Sequence, residues 1–261
     1  MVKLILCGCL GRMGTAICNM VAATPDMEIV AGIDTVKPSQ NYSYPIYTNI
    51  NDSTVCADVI VSYLPPNAED SDKRALLDFG VKNNISLVVC TTGLIPEEEQ
   101  EIAEVAKKVA VFYSKNMSLG INVFSHIVKS VSKLLYDSNF DIEVIEKHHN
   151  KKIDAPSGTA VMLVDAIKQT VEAELTTVTD RMSALTQRSR SEIGVSAIRG
   201  GNIIGEHTVL FAGQNETIEL THAAGSRDVF AEGTLKAARF IKGKPPGLYN
   251  MQDLISELKG Q

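Results

Sequence analysis

The chain has 261 residues, of which 44% are hydrophobic and 21% are charged, and its formal net charge at pH 7 is -6. This length and ordinary composition predict a globular protein of one large or two modest domains and exclude a disordered chain, a collagen-like repeat and a coiled coil. The acidic balance argues against nucleic acid as a main partner, because neutralising phosphates requires a basic surface.

The N-terminal part of the chain alternates between strand-like and helix-like patterns. Short apolar runs that end in turn residues predict strands, and apolar residues at helical spacing predict helices. The predicted strands are 2–7, 28–33, 58–64, 86–91 and 110–113, and the predicted helices are 14–23, 69–83 and 96–108. This alternation predicts an α/β fold with a Rossmann-like doubly wound parallel sheet, covered by helices on both faces.

The pattern changes after about residue 120. Apolar residues between 121 and 135 recur at helical spacing, and several strand-like runs then follow one another closely, separated by Gly-Gly-Asn and Gln-Asn turns. The predicted strands are 141–146, 192–199, 206–212 and 217–224, and a last helix is predicted at 228–242. We therefore expect a second, α+β domain with an antiparallel or mixed sheet.

A glycine-rich turn joins the first strand to the first helix. Gly8, Gly11 and Gly14 have GxxGxxG spacing, which lets backbone N–H groups approach a pyrophosphate at the start of a helix. Asp34 ends the second strand, 20 residues beyond Gly14, where a carboxylate can bind an adenosine ribose. The alternative, a turn that only packs strand on helix, is disfavoured by this context.

Charged side chains near the turn leave the choice of dinucleotide open. Arg12 lies within the loop, where its charge would favour phosphates, and Lys37 would be able to hold the 2'-phosphate of NADPH. Asp34 favours NADH by repelling that phosphate. Ordinary exposed side chains are the alternative for Arg12 and Lys37, so the expected cofactor is NADH or NADPH.

Residues 146–160 read EKHHNKKIDAPSGTA, with two adjacent histidines and three lysines before a Pro-Ser-Gly-Thr turn. We expect no metal here, because His148 and His149 point apart as chain neighbours and the lysines repel a cation. The glycine spacing of a phosphate-binding P-loop is also absent.

The same stretch fits a site for an anion that receives a proton. Ser157, Gly158 and Thr159 lie where a helix starts, so hydroxyls and backbone N–H groups are available to a carboxylate. A histidine beside an anionic substrate stays protonated and can act as a general acid. A solvated surface turn with a Ser/Thr helix cap is the alternative.

The string E-x-x-E-x-H-H-x-x-K-x-D-A-P-S-G-T-A, from Glu143 to Ala160, resembles the signature of the 4-hydroxy-tetrahydrodipicolinate (dihydrodipicolinate) reductase family. The resemblance extends collinearly over nearly the whole chain, through GRMG, TTG, KNMSLGIN, IRGGNIIGEHTVLF and THAAGSRDVFAEGTLKAARF. It implies the reduction of 4-hydroxy-tetrahydrodipicolinate, a cyclic dicarboxylate, to tetrahydrodipicolinate with NADH or NADPH on the diaminopimelate route to lysine. It also implies a homotetramer built through the second domain.

The resemblance further implies a domain division and residue roles. Residues 1–119 plus 227–261 would form the dinucleotide-binding domain, and residues 120–226 would form a substrate-binding and oligomerisation domain. His148 would be the proton donor and Lys152 its catalytic partner, and the substrate would contact His149, Ser157, Gly158 and Thr159. With Lys37 added from its position after Asp34, the expected cofactor residues are Gly8, Cys9, Leu10, Gly11, Arg12, Met13, Gly14, Asp34, Lys37, Cys90, Thr91, Thr92, Ser114, Lys115, Asn116 and Met117.

Two rival hypotheses remain at this point. One is a Rossmann-fold protein that binds NAD as a sensor without turnover. The other is a dehydrogenase of an amino acid or semialdehyde, which would share the glycine loop but has no reason to carry the full HHxxKxDAPSGT string.

The sequence also predicts a cytoplasmic protein. The apolar run Val2–Cys7 is too short for a secretory signal, and no stretch reaches the roughly 20 apolar residues of a membrane helix. The five cysteines are odd in number and lack CxxC spacing. They are expected to be reduced small hydrophobic residues, not disulfides or zinc ligands.

Overall fold

The computed structural model describes residues 1–38, 41–183 and 185–260. The chain forms two compact units, Met1–Leu119 with Asp228–Gln261, and Gly120–Arg227. Arg227, which the sequence analysis assigned to the first domain, falls in the second unit, because the returning helix begins only at Asp228.

The first unit is built on a seven-stranded sheet in which every pairing is parallel. Its strands are β1 (Val2–Cys7), β2 (Met27–Ile33), β3 (Ile46–Tyr47), β4 (Val59–Ser62), β5 (Ser86–Val89), β6 (Ala110–Tyr113) and β12 (Gly247–Tyr249). The strand order is β12-β6-β5-β4-β1-β2-β3. The short strands β3 and β12 were not predicted, since two or three residues carry too little pattern.

Helices cover both faces of this sheet. They are α1 (Arg12–Ala22), α2 (Asp70–Asn83), α3 (Pro96–Ala106), α6 (Asp228–Ile241) and α7 (Met251–Lys259). One buried cluster joins the sheet to α1, α6 and α7, and another joins it to α2 and α3. The doubly wound prediction is confirmed; α7 was not predicted, although Asn250 begins it with a capping box.

The turn between β1 and α1 depends on two glycines. Gly8 has φ of +76°, a conformation that side chains other than glycine rarely adopt. A Cβ on Gly14 would lie 2.2 Å from the carbonyl oxygen of Gly8, so only glycine lets α1 start this close to the turn.

The second unit has a five-stranded mixed sheet in the order β11-β10-β7-β9-β8. Its strands are β7 (Asp141–His148), β8 (Thr176–Val178), β9 (Glu192–Arg199), β10 (Glu206–Ala212) and β11 (Thr217–Ala223), and its helices are α4 (Leu119–Asp137) and α5 (Gly158–Lys168). β7 runs parallel to β9 and antiparallel to β10. The expected mixed sheet is confirmed, and β8 is an addition to it.

One face of this sheet packs on α4 and α5 around a hydrophobic core. Side chains alternate along β7, so Ile142 and Val144 enter the core, and Glu146 and His148 continue the same face toward the end of the strand. The core face therefore ends in two buried ionisable side chains, and this is where the candidate site begins.

The described helices include none that is long and apolar enough to cross a membrane. The cysteines are all free, and Cys7, Cys9 and Cys90 are buried. Cys18 is half-buried and Cys56 is exposed.

Gly233 on α6 lets this helix pack directly against backbone. A Cβ there would lie 1.7 Å from the carbonyl oxygen of Met117, so Gly233→Ala must push the helix away from the segment that joins β6 to α4. We expect the free energy of unfolding to fall by about 1–3 kcal/mol or more, measured by urea denaturation followed by circular dichroism. Glu232→Ala, at the neighbouring exposed position, should stay within about 0.5 kcal/mol of the wild type. Equal effects of the two changes would contradict this account.

Candidate active site

A buried carboxylate organises the polar end of the second unit's core. The side chain of Glu146 has no exposed surface. Arg199, at the end of β9, donates to Glu146 through both terminal nitrogens, Nη2 to Oε1 and Nη1 to Oε2, each at 2.7 Å. The backbone N–H of Ser157 donates to Oε1 at 3.0 Å. This forked arrangement is the strong, directional form of an arginine–carboxylate pair.

His148 completes the shell around Glu146. Its Nδ1 lies 2.6 Å from Glu146 Oε2. Burial by itself would raise the pKa of Glu146, but hydrogen bonds from Arg199, His148 and Ser157 outweigh burial and hold that pKa below its usual value. An ionised carboxylate only accepts hydrogen bonds, so Nδ1 carries the proton of this contact and Nε2 is the atom left for other chemistry.

The space beside Nε2 depends on Gly205. A Cβ at this position would lie 3.0 Å from His148 Nε2 and 3.4 Å from Cδ2. A side chain there would press on the imidazole, so glycine is what lets the chain pass this close to the ring.

A second histidine is held neutral next to the first. His207, on β10, lies edge-on to His148 with ring centroids 5.1 Å apart, and its Nε2 is 3.0 Å from Ser157 Oγ. Burial, followed by the nearby charge of His148, lowers the pKa of His207 to about 4. At neutral pH His207 is uncharged and does not compete with His148 for a proton.

The remaining predicted substrate residues surround this cluster. Lys152 lies on the loop after β7, with Nζ 2.9 Å from Asp154 Oδ1. His149 Nε2 lies 3.5 Å from an Arg227 guanidinium nitrogen. Burial and then the charge of Arg227 lower the pKa of His149.

The start of α5 contributes the Ser-Gly-Thr part of the site. Ser157 is the N-cap, and its Oγ accepts a hydrogen bond from the backbone N–H of Ala160. Gly158 is exposed at the first helical position, and nothing lies within 4 Å of where its Cβ would be; Thr159, half-buried, is the next residue. This helix terminus therefore offers open space beside a positive dipole end.

Sequence reasoning missed three members of this cluster: Glu146, Arg199 and His207. Glu146 lies two residues before His148, so strand alternation was a usable signal for a shared face. Arg199 and His207 lie at facing ends of two strands joined by the Gly-Gly-Asn turn, and no local signal indicates that both approach His148.

The first unit holds the predicted nucleotide residues. Gly11 begins α1 without any side-chain cap, so the N–H groups of the first turn are not covered by a side chain among the described residues. Asp34 Oδ2 accepts from the N–H of Leu10 at 2.9 Å, and Oδ1 accepts from Val36 at 3.3 Å. The acidic residue is therefore fixed beside the glycine loop, as a ribose-binding carboxylate must be.

A cleft opens next to Asp34. Its lining includes Ile33, Thr35, Asn49 and Leu76, a mixture of apolar and hydrogen-bonding groups. Arg12 and Lys37 are exposed. Glycine loop, uncapped helix and carboxylate-lined cleft together fit a dinucleotide.

Other predicted cofactor residues follow β5 and β6. Thr91 is buried and donates to the carbonyl of Leu64 at 2.8 Å, and Ser114 donates to the carbonyl of Asn116 at 2.8 Å. Lys115 pairs with Glu99 at 2.8 Å, and Thr92 is exposed.

The side chains of Cys9, Cys90 and Met117 pack in the hydrophobic core. Any contact that these three positions make with a cofactor would come from their backbone. Met13, on α1, packs partly buried against the same core.

A separate cleft of about 170 Å³ lies between α2 and α3. Its charged groups pair with one another, as in the 2.7 Å contact between Lys73 and Glu98. It contains none of the predicted site residues except Thr91. Within residues 1–38, 41–183 and 185–260, no group of three or more His, Cys, Asp or Glu side chains is arranged to hold a metal ion.

Comparisons with known proteins cover nearly the whole chain. Two family models fit the chain, "Dihydrodipicolinate reductase, N-terminus" over residues 2–117 and "Dihydrodipicolinate reductase, C-terminus" over residues 120–255. The chain is 48% identical over 255 residues to the 4-hydroxy-tetrahydrodipicolinate reductase of Clostridium novyi (strain NT). It is 46% identical over 256 residues to that of Clostridium tetani (strain Massachusetts / E88), and in both cases 98% of each chain is covered.

A solved structure also shares the fold. The dipicolinate-bound dihydrodipicolinate reductase from Paenisporosarcina sp. TG-14 superposes with a TM-score of 0.79 at 22% identity, covering 96% of this chain and 97% of that one. The similarity supports the two-unit α/β architecture described above.

His207 is buried in its uncharged form, and we therefore expect the folded protein to lose stability in acid. A histidine in an unfolded chain is protonated near pH 6.5, whereas the folded pKa is about 4, so between these values the unfolded chain binds more protons and stability falls as pH falls. From pH 7 to pH 5 this residue should remove about 2 kcal/mol from the free energy of unfolding.

The measurement is urea denaturation at both pH values. His207→Gln keeps a hydrogen-bonding amide near Ser157 but cannot titrate, so its pH difference should be smaller than that of the wild type. His126→Gln, at an exposed position on α4, should leave the wild-type difference unchanged. An undiminished difference in His207→Gln would show that other groups cause the acid sensitivity.

Proposed function

The chain belongs to the dihydrodipicolinate reductase family, and on that premise we propose that His148 is the proton donor of its reaction. The protein is an oxidoreductase that reduces 4-hydroxy-tetrahydrodipicolinate to tetrahydrodipicolinate in the diaminopimelate route of lysine biosynthesis. It uses a nicotinamide cofactor. The reaction releases the 4-hydroxyl group of the substrate as water and consumes one hydride and one proton, so the protein must provide a general acid in addition to a dinucleotide site.

The observation that carries this role is the pairing of His148 with Glu146. When bound, the nicotinamide supplies the hydride. Loss of the 4-hydroxyl group as water gives a conjugated imine, and hydride addition to this imine leaves carbanion or enamine character on the ring, which needs a proton at carbon. His148 holds its Nδ1 proton against the carboxylate at 2.6 Å, so a second proton on Nε2 is the one available for transfer.

We assign the recognition of the two substrate carboxylates to positive and N–H groups around His148. The start of α5, at Gly158 and Thr159, is suited to one carboxylate because the helix dipole and backbone N–H groups favour an anion there. Lys152 would hold and polarise the substrate electrostatically, and His149 with Arg227 adds a further donor pair. An acidic protein can bind a dianion because these groups concentrate local positive charge.

His148→Gln should lower kcat by at least about 100-fold, since a general acid contributes roughly that much. Its affinity for NADH should stay within about twofold, because a group used only in the transition state leaves the cofactor pocket unchanged. Both are measurable, by steady-state oxidation of NADH and by NADH fluorescence in a protein with no tryptophan. His126→Gln, which removes an exposed imidazole, should retain the wild-type rate. A wild-type kcat in His148→Gln would remove this residue from the chemistry.

We further propose that NADH is the preferred cofactor and that the first unit binds it. Asp34 is held in place by the N–H groups of Leu10 and Val36, with its charge directed to the cleft next to the glycine loop. A fixed carboxylate accepts a hydrogen bond from the 2'-hydroxyl group of NADH and repels the 2'-phosphate of NADPH. Lys37 is the competing feature, since an exposed lysine close to the same cleft would favour NADPH.

Asp34→Asn tests this preference without removing an acceptor from the loop. The asparagine oxygen can still accept from Leu10, so the change removes charge while keeping the turn. We expect the ratio of kcat/KM for NADH to that for NADPH to fall about tenfold, mainly through KM. Lys37→Ala is the matched variant and should weaken only NADPH if that lysine holds a 2'-phosphate. A wild-type protein that prefers NADPH would contradict the proposal.

We also propose a homotetramer assembled through the second unit, working in the cytoplasm. The sheet face opposite α4 and α5 carries half-buried and exposed side chains, including Ile145, Leu210 and Ile198. An open sheet face with apolar side chains is typical of an assembly surface. Free cysteines agree with a reducing compartment.

A further inference from the structure

We propose that Glu146 and Arg199 are positioning residues that act through His148: together they hold its ring in the Nδ1-protonated tautomer and set how readily Nε2 releases a proton. The inference rests on the proposed role of His148 as donor. Neither residue needs to touch the substrate, because both act through the imidazole.

The contacts around Glu146 leave little freedom. Oε1 accepts from Arg199 Nη2 and from the Ser157 N–H, and Oε2 accepts from Arg199 Nη1 and His148 Nδ1. The four donors come from β7, β9 and the start of α5. A carboxylate bound from three elements cannot rotate without breaking two hydrogen bonds, so the ring that donates to it keeps one orientation.

The positive charge of Arg199 balances part of the negative charge that Glu146 presents to His148. A buried carboxylate alone at 2.6 Å would strongly stabilise the imidazolium and hold back its proton. The guanidinium, bonded to the same two oxygens, offsets part of that negative charge. Removing Glu146 and removing Arg199 should therefore change proton release in opposite directions, which loss of packing alone would not do.

Other titratable groups also face His148. His207, from β10, has a pKa of about 4 and stays neutral through any assay above about pH 6. Lys152 and His149 lie on the loop that follows β7, and β9 contributes Arg199. These neighbouring groups, apart from Arg199 itself, are identical in all variants compared below.

The test is the pH profile of kcat/KM for the dicarboxylate between about pH 6 and about pH 10. Activity is lost on the alkaline side as the donor deprotonates. In Glu146→Gln this alkaline limb should move down by about one pH unit, and in Arg199→Met it should move up. Arg199→Lys keeps the positive charge but loses the bidentate contact with Glu146. Its alkaline limb should therefore stay at the wild-type pH while kcat falls. Limbs that coincide in wild type, Glu146→Gln and Arg199→Met would overturn the inference.

A second measurement does not depend on turnover. Nitrogen-15 NMR of the free enzyme distinguishes the two neutral histidine tautomers. We expect the wild-type His148 ring to carry its proton on Nδ1 and Glu146→Gln to lose this single tautomer. A wild-type Nε2-protonated ring would overturn the proposal even if neither variant folds. An unchanged rate in His148→Gln would instead count against the donor role, so the two failures are distinguishable.

Discussion

The bidentate pair between Arg199 and the fully buried Glu146 is the interaction on which the chemistry of the second unit depends. Leaving a buried charge without its partner costs on the order of 3–5 kcal/mol, so this carboxylate can occupy the end of a hydrophobic face only because every oxygen is satisfied. Satisfying it requires the end of β7, the end of β9 and the start of α5 to meet at one point. The same meeting point brings together the donor histidine and the open helix terminus that suits a carboxylate.

The two histidines near this pair illustrate how environment divides roles between identical side chains. His148 lies against a carboxylate, which favours its proton on one nitrogen. His207, one strand away, is kept neutral by burial and then by the nearby charge of His148, which lower its pKa to about 4. An uncharged neighbour avoids repulsion of the imidazolium and lets one ring of the pair act as the acid.

The nucleotide features of the first unit rest on backbone geometry more than on side chains. Gly8 adopts a positive φ, and Gly14 leaves no room for a Cβ, so α1 starts close to the turn; the N-cap residue, Gly11, makes no side-chain cap. Met117 and Cys90 are buried in the core below. Cofactor recognition in this unit is therefore carried by loop shape, N–H groups and one fixed carboxylate.

The sequence by itself determined the alternation of strands and helices, the glycine turn, Asp34 and the HHxxKxDAPSGT string, because each is a local pattern whose chemistry follows from spacing. It also predicted the mixed second sheet. It missed the strands β3, β8 and β12, which are short, and the helix α7, which follows the prolines at 245 and 246. Only the tertiary structure decided that Arg199 and His207 approach His148, and that Met117 faces the core. Those contacts depend on which strands become neighbours in the sheet, and strand order is set by packing over the whole unit and not by any short run of residues.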